Sequence, residues 1–260
     1  MSHEEKLNYM LTELLAEIYP EKKVSLPEDL QKRKALLRGL MNSRMPLTPL
    51  REDFLKIQDE YLKEEIEKKG ITDIKNLTPI QKDIYLWKGD ITTLKVDAIV
   101  NAANSKMLGC FIPGHHCIDN AIHTFSGMQL RIYCNEIMKD QGYDEPTGQA
   151  KLTPAYNLSC KYIIHTVGPV ISGKLSEEHC KLLESSYNSC LQAAVRNSIK
   201  SIAFCCISTG EFSFPNDRAA KIAIRTVKKF KEQHDSNIKI IFNVFKETDL
   251  KIYSNLLKQE

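Results

Sequence analysis

The nine residues Val-Asp-Ala-Ile-Val-Asn-Ala-Ala-Asn at positions 96–104 decide the fold of this chain. Their apolar first half, residues 96–100, predicts a buried strand. The small and amide side chains from Asn101 to Asn104 predict that the chain leaves the sheet there. In α/β sheets, ligands bind in loops at the carboxyl ends of the strands. We therefore expect functional residues directly after Val100.

Short apolar strands and amphipathic helices alternate on both sides of this stretch, from Ile80 onward. This alternation predicts an α/β fold in which helices cover a central sheet. Further strands are predicted at residues 84–87, 162–166, 202–207 and 238–244. Helices are predicted at residues 117–139, 177–197, 217–233 and 248–258.

The first 76 residues follow a different pattern and contain no cysteine. Apolar side chains at helical spacing predict three helices at residues 5–19, 27–42 and 49–69, the last capped by Gly70. We interpret residues 1–76 as a small helical N-terminal extension that covers one face of a main domain at residues 77–260. A dedicated partner-binding module is the alternative interpretation.

Composition and charge exclude several classes of protein. The 260 residues are 42% hydrophobic, which is enough for a packed core. A net charge of +3, from 36 basic and 33 acidic residues, is too small to indicate a nucleic-acid-binding surface. No run of about eighteen apolar residues predicts a membrane span, and the sequence MSHEEKLNYM at residues 1–10 is too polar for a signal peptide. We expect a soluble protein of the cytoplasm.

Four side chains that can bind metal lie within eight residues: Cys110, His115, His116 and Cys117. In a chain without a secretory signal, cysteines indicate free thiols or metal ligands rather than disulfides. Zinc binds thiolates and imidazoles in tetrahedral geometry, and three protein ligands leave a fourth position for water or substrate. The spacing alone does not separate His115 from His116. The same spacing is equally compatible with a loop that binds no metal, in which both thiols are buried and both histidines are exposed.

Two further segments suit a phosphorylated ligand. Asp119 and Asn120 fall in the first turn of the helix predicted after the cysteines, where free backbone amides can bind a phosphate, although helix capping explains Asp119 as well. The loop at residues 208–215 begins Ser-Thr-Gly and lies between a predicted strand and a predicted helix. Its backbone amides can hold a diphosphate, and Phe212 can cover a sugar.

Four motifs in this order resemble the macrodomain family: Gly-Asp-Ile-Thr at residues 89–92, the stretch at 96–104, Tyr-Ile-Ile-His-Thr-Val-Gly-Pro at 162–169 and the loop at 208–215. The resemblance covers about residues 77–252 and implies a macrodomain with a central mixed sheet flanked by helices. In place of the family's glycine-rich first loop stands Gly-Cys-Phe-Ile-Pro-Gly-His-His-Cys-Ile-Asp-Asn at residues 109–120. This segment resembles the zinc-containing branch of macrodomain ADP-ribosyl hydrolases.

The resemblance implies how ADP-ribose is bound. Asp90 would accept a hydrogen bond from the adenine amino group, beside the Ile91 amide, and Asn243 or Phe245 would border the adenine. Asn104 would orient the distal ribose. Asn101 and Asn120 are also expected among the ligand-binding residues. The diphosphate would lie on the backbone of Ser208, Thr209, Gly210, Glu211 and Phe212.

The resemblance also implies a catalytic set. One zinc ion (Zn2+) per chain would be held by Cys110, His115 and Cys117, because the family spacing favours the histidine two residues before the second cysteine. Asp119 would lie near the distal ribose and orient a water. Together with Asn104, these residues are the expected catalytic residues.

The implied function is zinc-dependent hydrolysis that releases ADP-ribose from mono-ADP-ribosylated protein, a glycosidase-type reaction at a bond to an acidic side chain. Relatives of this branch imply a sirtuin-like ADP-ribosyltransferase as functional partner and a lipoylated carrier protein as substrate. The alternatives are an ADP-ribose-binding reader with a structural zinc, a hydrolase of small ADP-ribose derivatives, and an RNA-associated protein. The near-neutral charge disfavours the last of these.

Overall fold

The computed structural model describes residues 1–22 and 24–258. Lys23 of the predicted extension, and Gln259 and Glu260 of the predicted main domain, lie outside the described residues. The chain begins with three helices, α1 (His3–Ile18), α2 (Leu30–Ser43) and α3 (Glu52–Lys69). Helix α1 starts two residues before its predicted start because Ser2 and Glu5 form a capping box that satisfies its first backbone amides.

Strands and helices alternate after α3, as predicted. The strands are β1 (Thr72–Asp73), β2 (Ile84–Lys88), β3 (Leu94–Lys95), β4 (Ala98–Ala103), β5 (Ala150–Pro154), β6 (Tyr162–Val167), β7 (Ser201–Phe204) and β8 (Lys239–Val244). The helices are α4 (Ile118–Ser126), α5 (Met128–Gln141), α6 (Glu177–Arg196), α7 (Asn216–Gln233) and α8 (Glu247–Lys258).

Among the described residues, six strands form the central sheet, in the order β2-β8-β7-β4-β6-β5. The sheet is mixed, because β5 runs antiparallel to β6 while the other neighbours are parallel. The α/β fold with a mixed sheet is therefore confirmed. Strand β5 was not predicted. It is an edge strand with mostly half-buried residues and ends at Pro154, so its sequence lacks a clear apolar pattern.

Two boundaries differ from the predictions in ways that affect the site. Strand β4 extends to Ala103, so Asn101 lies within the sheet, in register with His165 of β6, instead of following the strand. The single helix predicted at residues 117–139 is divided at Gly127, where φ is +103°. Glycine adopts this backbone conformation without steric strain, whereas other residues rarely do. Gly127 therefore allows the chain to turn between α4 and α5.

Helices flank the sheet and leave one of its edges free for loops. Helices α4 and α5 pack against β4 and β5, whereas α6, α7 and α8 pack on one another and against β2, β5, β6 and β8. Because the five parallel strands end at the same edge, the loops after them gather there. No helix among the described residues has the length and apolar character needed to cross a bilayer.

Three apolar clusters of described residues stabilise the chain. The largest surrounds the central sheet. The second lies between α1, α2 and α3 and includes Met128 of α5, and Phe125 packs against both of these clusters. The smallest consists of Ala103, Met107 and Val167. The division at residue 76 stays a prediction. All eight cysteines lie in the described part of the chain and are free thiols.

Candidate active site

The Cys-His loop, residues 109–117, connects β4 to α4 and brings three metal-binding side chains together. The ligand atoms of Cys110, His115 and Cys117 all lie within 4.8 Å of one another. Cys110 Sγ is 3.4 Å from His115 Nδ1. His116 has an exposed side chain outside this cluster. Tertiary structure thus distinguishes two histidines that the sequence spacing left equivalent.

A tight turn and a helix cap produce this arrangement. Gly114 has φ +68°, and the His115 amide donates to the Ile112 carbonyl at 3.2 Å, so the chain doubles back. Cys117 caps α4, where its Sγ accepts from the Asn120 amide at 3.4 Å. Burial raises the pKa of the Cys117 thiol to about 12. Because only a thiolate binds metal, Cys117 needs a nearby cation to act as a ligand.

Asp119 lies buried in the first turn of α4, between two asparagines. Asn101 Nδ2 donates to Asp119 Oδ1 at 2.8 Å, and Asn104 Nδ2 donates to Oδ2 at 3.3 Å. Asn104 Nδ2 also donates to the Gly109 carbonyl at 3.1 Å, at the start of the Cys-His loop. Burial raises the pKa of Asp119 to about 6, although the hydrogen bond from Asn101 opposes this shift. The carboxylate is therefore fixed in orientation beside the cysteines.

Two buried histidines lie beneath Asp119. His165 Nδ1 is 3.1 Å from Asn101 Nδ2, and His165 Nε2 is 3.0 Å from Thr153 Oγ1. Burial lowers the pKa of His165 to about 3 and that of His123 well below its ordinary value. His123 Nε2 lies 3.6 Å from Asp119 Oδ1, but a neutral ring makes no ion pair with it. Both amide hydrogens of Asn101 are therefore used within the protein, to hold Asp119 and His165.

His123, His165 and Cys134 form a second group of metal-binding types within 4.8 Å. Both nitrogens of His165 already have hydrogen-bond partners. Burial also raises the pKa of the Cys134 thiol to about 12. We interpret this group as a polar part of the core that supports Asn101.

Asp90 lies just after β2, and hydrogen-bond donors surround its carboxylate. The amide and hydroxyl of Thr92 donate to Oδ1 at 3.0 Å and 2.6 Å. Lys69, at the end of α3, donates to Oδ2 at 2.9 Å and also lies 3.2 Å from the centre of the Phe125 ring. Burial alone would raise the pKa of Asp90, but the bonds from Thr92 and Lys69 lower it overall. Nearby, Asn243 donates to the Gly89 carbonyl at 3.0 Å.

The loop after β7, residues 205–215, has an unusual backbone. Ser208 has φ +64° and a buried hydroxyl oxygen without a hydrogen-bond partner. The Phe214 amide donates to the Ser208 carbonyl at 2.9 Å, which closes the loop. Within the described residues, the amides of Gly210, Glu211 and Phe212 donate no hydrogen bond. Such free amides in a loop before a helix suit an anion.

This loop meets the Cys-His loop through one side chain. A Glu211 carboxylate oxygen lies 3.5 Å from His115 Nε2, the ring nitrogen opposite the one that faces Cys110. A carboxylate at the second nitrogen of an imidazole orients the ring for a metal ligand role. The contact also brings the β7 loop against the Cys-His loop at Glu211.

Comparisons with known proteins identify the family of the chain. A family model described as "Macro domain" matches residues 100–223. A protein of Treponema medium named protein-ADP-ribose hydrolase is 53% identical over 99% of this chain and 100% of its own length. The chain belongs to the macro domain family. A protein of Staphylococcus aureus (strain COL) with the same name is 45% identical to this macrodomain over 100% of this chain and 97% of its own.

Solved macrodomains share the fold. A Trypanosoma brucei macrodomain in complex with ADP-ribose has a TM-score of 0.66 and 29% identity, and the match covers 83% of this chain and 94% of that one. A mutant Oceanobacillus iheyensis macrodomain with ADPR has a TM-score of 0.63 and 32% identity, over 70% of this chain and 96% of that one.

The structure gathers the predicted site residues of this macrodomain at one sheet edge, but several of them have protein partners. The Asn120 side chain is fully buried and donates to the Ile112 carbonyl at 3.1 Å. Ile91, whose amide was predicted to lie beside the adenine, is also buried. Lys69 and His165 were not predicted as site residues. No local pattern marks Lys69, whereas His165 stands inside the motif at residues 162–169.

Proposed function

We propose that this macrodomain hydrolyses protein-linked ADP-ribose and releases ADP-ribose from the modified protein. The observation that carries the proposal is Asp119, a buried carboxylate held by Asn101 and Asn104 beside three metal-binding side chains. A site that only bound ADP-ribose would not need a fixed acidic group there. Full-length relatives named protein-ADP-ribose hydrolase support the proposal.

The ligand would lie across the sheet edge, with its adenine at Asp90. An ionised carboxylate only accepts hydrogen bonds, which suits the adenine amino group. The diphosphate would accept hydrogen bonds from the free amides of Gly210, Glu211 and Phe212. The distal ribose would then lie near Asn104 and Asp119.

We propose that Cys110, His115 and Cys117 hold one zinc ion. Tetrahedral zinc with bonds of about 2.0–2.3 Å separates its ligand atoms by roughly 3.3–3.8 Å. The 3.4 Å between Cys110 Sγ and His115 Nδ1 fits this range. The ion would also supply the cation that a buried Cys117 thiolate requires. When bound, zinc supplies a Lewis acid that polarises an oxygen ligand.

In the proposed reaction, water attacks the anomeric carbon of the distal ribose. The bond from that carbon to a carboxylate oxygen of the target protein breaks. One hydrogen of the water remains in the new ribose hydroxyl, and the other leaves as a proton when the target recovers its acidic side chain. Asp119 accepts a hydrogen bond from the attacking water and holds it in place. Asn101 and Asn104 keep the carboxylate oriented, so most of the rate enhancement comes from placement. We further propose a lipoylated carrier as the substrate and a sirtuin-like ADP-ribosyltransferase as the enzyme that modifies it.

The test is release of ADP-ribose from a protein modified on acidic side chains, measured with the zinc content before and after chelation. We expect stoichiometric zinc and a release that chelation abolishes. Cys110→Ala should lose both zinc and release. Full activity in a zinc-free Cys110→Ala protein would contradict the role of the metal. Tight ADP-ribose binding without release would indicate a reader.

A further inference from the structure

Arg38 of helix α2 reaches from the N-terminal helices to the base of the Cys-His loop. Its Nη2 donates to the His115 carbonyl at 3.1 Å and to Asn120 Oδ1 at 2.8 Å, and its Nε donates to the same Oδ1 at 3.2 Å. A guanidinium is a planar fork of donors that makes charge-assisted hydrogen bonds in a fixed geometry. The Arg38 side chain therefore fixes the loop backbone at His115 and the side chain of Asn120.

Asn120 extends this contact to the two cysteines. Its fully buried side chain donates from Nδ2 to the carbonyls of Ile112 at 3.1 Å and Cys110 at 3.5 Å. Its backbone amide donates to Cys117 Sγ at 3.4 Å. Because the Asn120 amide oxygen accepts from Arg38, its amide nitrogen faces the loop carbonyls. Arg38 is thus connected to His115 directly and to Cys110 and Cys117 through one residue.

The Cys-His loop is held at its start by Arg131, which contacts the Phe111 ring and the Cys110 carbonyl, but its tip has little packing. Ile112, Pro113 and Gly114 are exposed, and Gly109 and Gly114 have positive φ angles that other residues rarely adopt. An exposed segment with such glycines gains many conformations when its hydrogen bonds are removed. Contacts from outside the loop are therefore needed to keep its three metal-binding side chains together.

We infer that Arg38 is a positioning residue that holds the Cys-His loop in its zinc-binding shape. This inference rests on the proposed zinc site. Arg38 would act through the His115 carbonyl and Asn120, because a guanidinium offers only hydrogen-bond donors. The helical N-terminal extension is consequently part of the active site, because it supplies a contact that the macrodomain sheet lacks.

The test compares zinc dissociation from three purified variants in excess chelator. Arg38→Ala should lose zinc roughly 10- to 100-fold faster than the wild type, the range typical for outer-shell partners of metal ligands. Arg38→Lys should fall between them, because lysine keeps the charge but lacks the fork. Arg33→Ala is the matched control. Arg33 lies on the same helix, but within the described residues its side chain bonds Asn8 and Glu4 of α1, away from the Cys-His loop, so its removal should leave the rate unchanged.

Melting temperatures of the zinc-loaded proteins show whether each variant is folded. Equal dissociation rates for folded Arg38→Ala and Arg33→Ala overturn the inference while the proposed function stands. A wild type that binds no zinc overturns both the inference and the proposed zinc site. If Arg38→Ala does not fold, Arg38→Lys is compared with Arg33→Lys, and equal rates there also overturn the inference.

Discussion

At the scale of single residues, the support beneath Asp119 depends on a neutral imidazole. His165 is fully buried and bonded to Asn101 and Thr153. Burial lowers its pKa from 6.5 to about 3. Between these values the unfolded chain binds a proton that the folded chain excludes. Stability from this residue is therefore complete above about pH 6.5 and is lost as the pH falls toward 3, by up to about 1.4 kcal/mol per pH unit.

We expect His165→Gln to flatten the acid side of the stability profile. Urea unfolding between about pH 7 and about pH 4 should show a smaller fall in the free energy of unfolding than in the wild type. His179→Gln is a suitable control, because His179 is only half-buried, at the start of α6, and glutamine can also complete its capping box with Ser176. Identical profiles for His165→Gln and the wild type would contradict the prediction.

At the scale of elements, the segments that follow β6 and β7 approach so closely that Gly168, directly after β6, has no room for a side chain. A Cβ at Gly168 would lie 2.1 Å from Ser208 Oγ and 2.7 Å from Ile207 Cγ2. Gly168→Ala must therefore displace the start of the β7 loop, where we propose that the diphosphate binds. Overpacking of this kind costs about 1–3 kcal/mol, so we expect ADP-ribose to bind at least about fivefold more weakly.

Isothermal titration calorimetry with free ADP-ribose measures this change. Gly39→Ala provides the same substitution at a tolerant position, because its Cβ would meet only Pro113 Cβ at 3.5 Å. Gly39→Ala should keep the wild-type affinity. Wild-type affinity in a folded Gly168→Ala variant would show that the β7 loop does not hold the diphosphate.

At the scale of the whole molecule, buried polar contacts join the N-terminal helices to the rest of the chain. Gln58 of α3 is fully buried, accepts from the Met128 amide at 3.0 Å and donates to Gln129 at 2.6 Å. Arg131 of α5 donates to the carbonyls of Asn42 and Cys110. We therefore expect the N-terminal helices and the sheet to unfold together.

Gln58→Ala would leave the Met128 amide without its partner, so we expect a loss of about 1–3 kcal/mol in the free energy of unfolding. Trp87, the only tryptophan, reports on the sheet through its fluorescence, and circular dichroism reports on the helices. The two signals should coincide in wild type and variant. Exposed Gln31→Ala should stay within about 0.5 kcal/mol of the wild type. Separate transitions in the wild type would contradict a single unfolding unit.

The sequence by itself determined the fold class. The alternation of apolar strands and amphipathic helices, and the motifs at residues 89–92, 96–104, 162–169 and 208–215, were sufficient for the macrodomain fold. These signals are local, because periodicity and turn residues act within a few positions of the chain. For the same reason the sequence grouped Cys110, His115, His116 and Cys117 as candidate ligands.

Tertiary structure decided which groups meet within the site. It brought His115, which the family resemblance had favoured, rather than His116 to the thiols. It also used both amide hydrogens of Asn101 inside the protein, and placed Lys69 on Asp90 and Arg38 beneath the Cys-His loop. Lys69 and Asp90 lie 21 positions apart, and Arg38 and His115 lie 77 apart. A hydrogen bond requires its two partners in space but leaves no periodic pattern in either segment, so such contacts become visible only when the chain is folded.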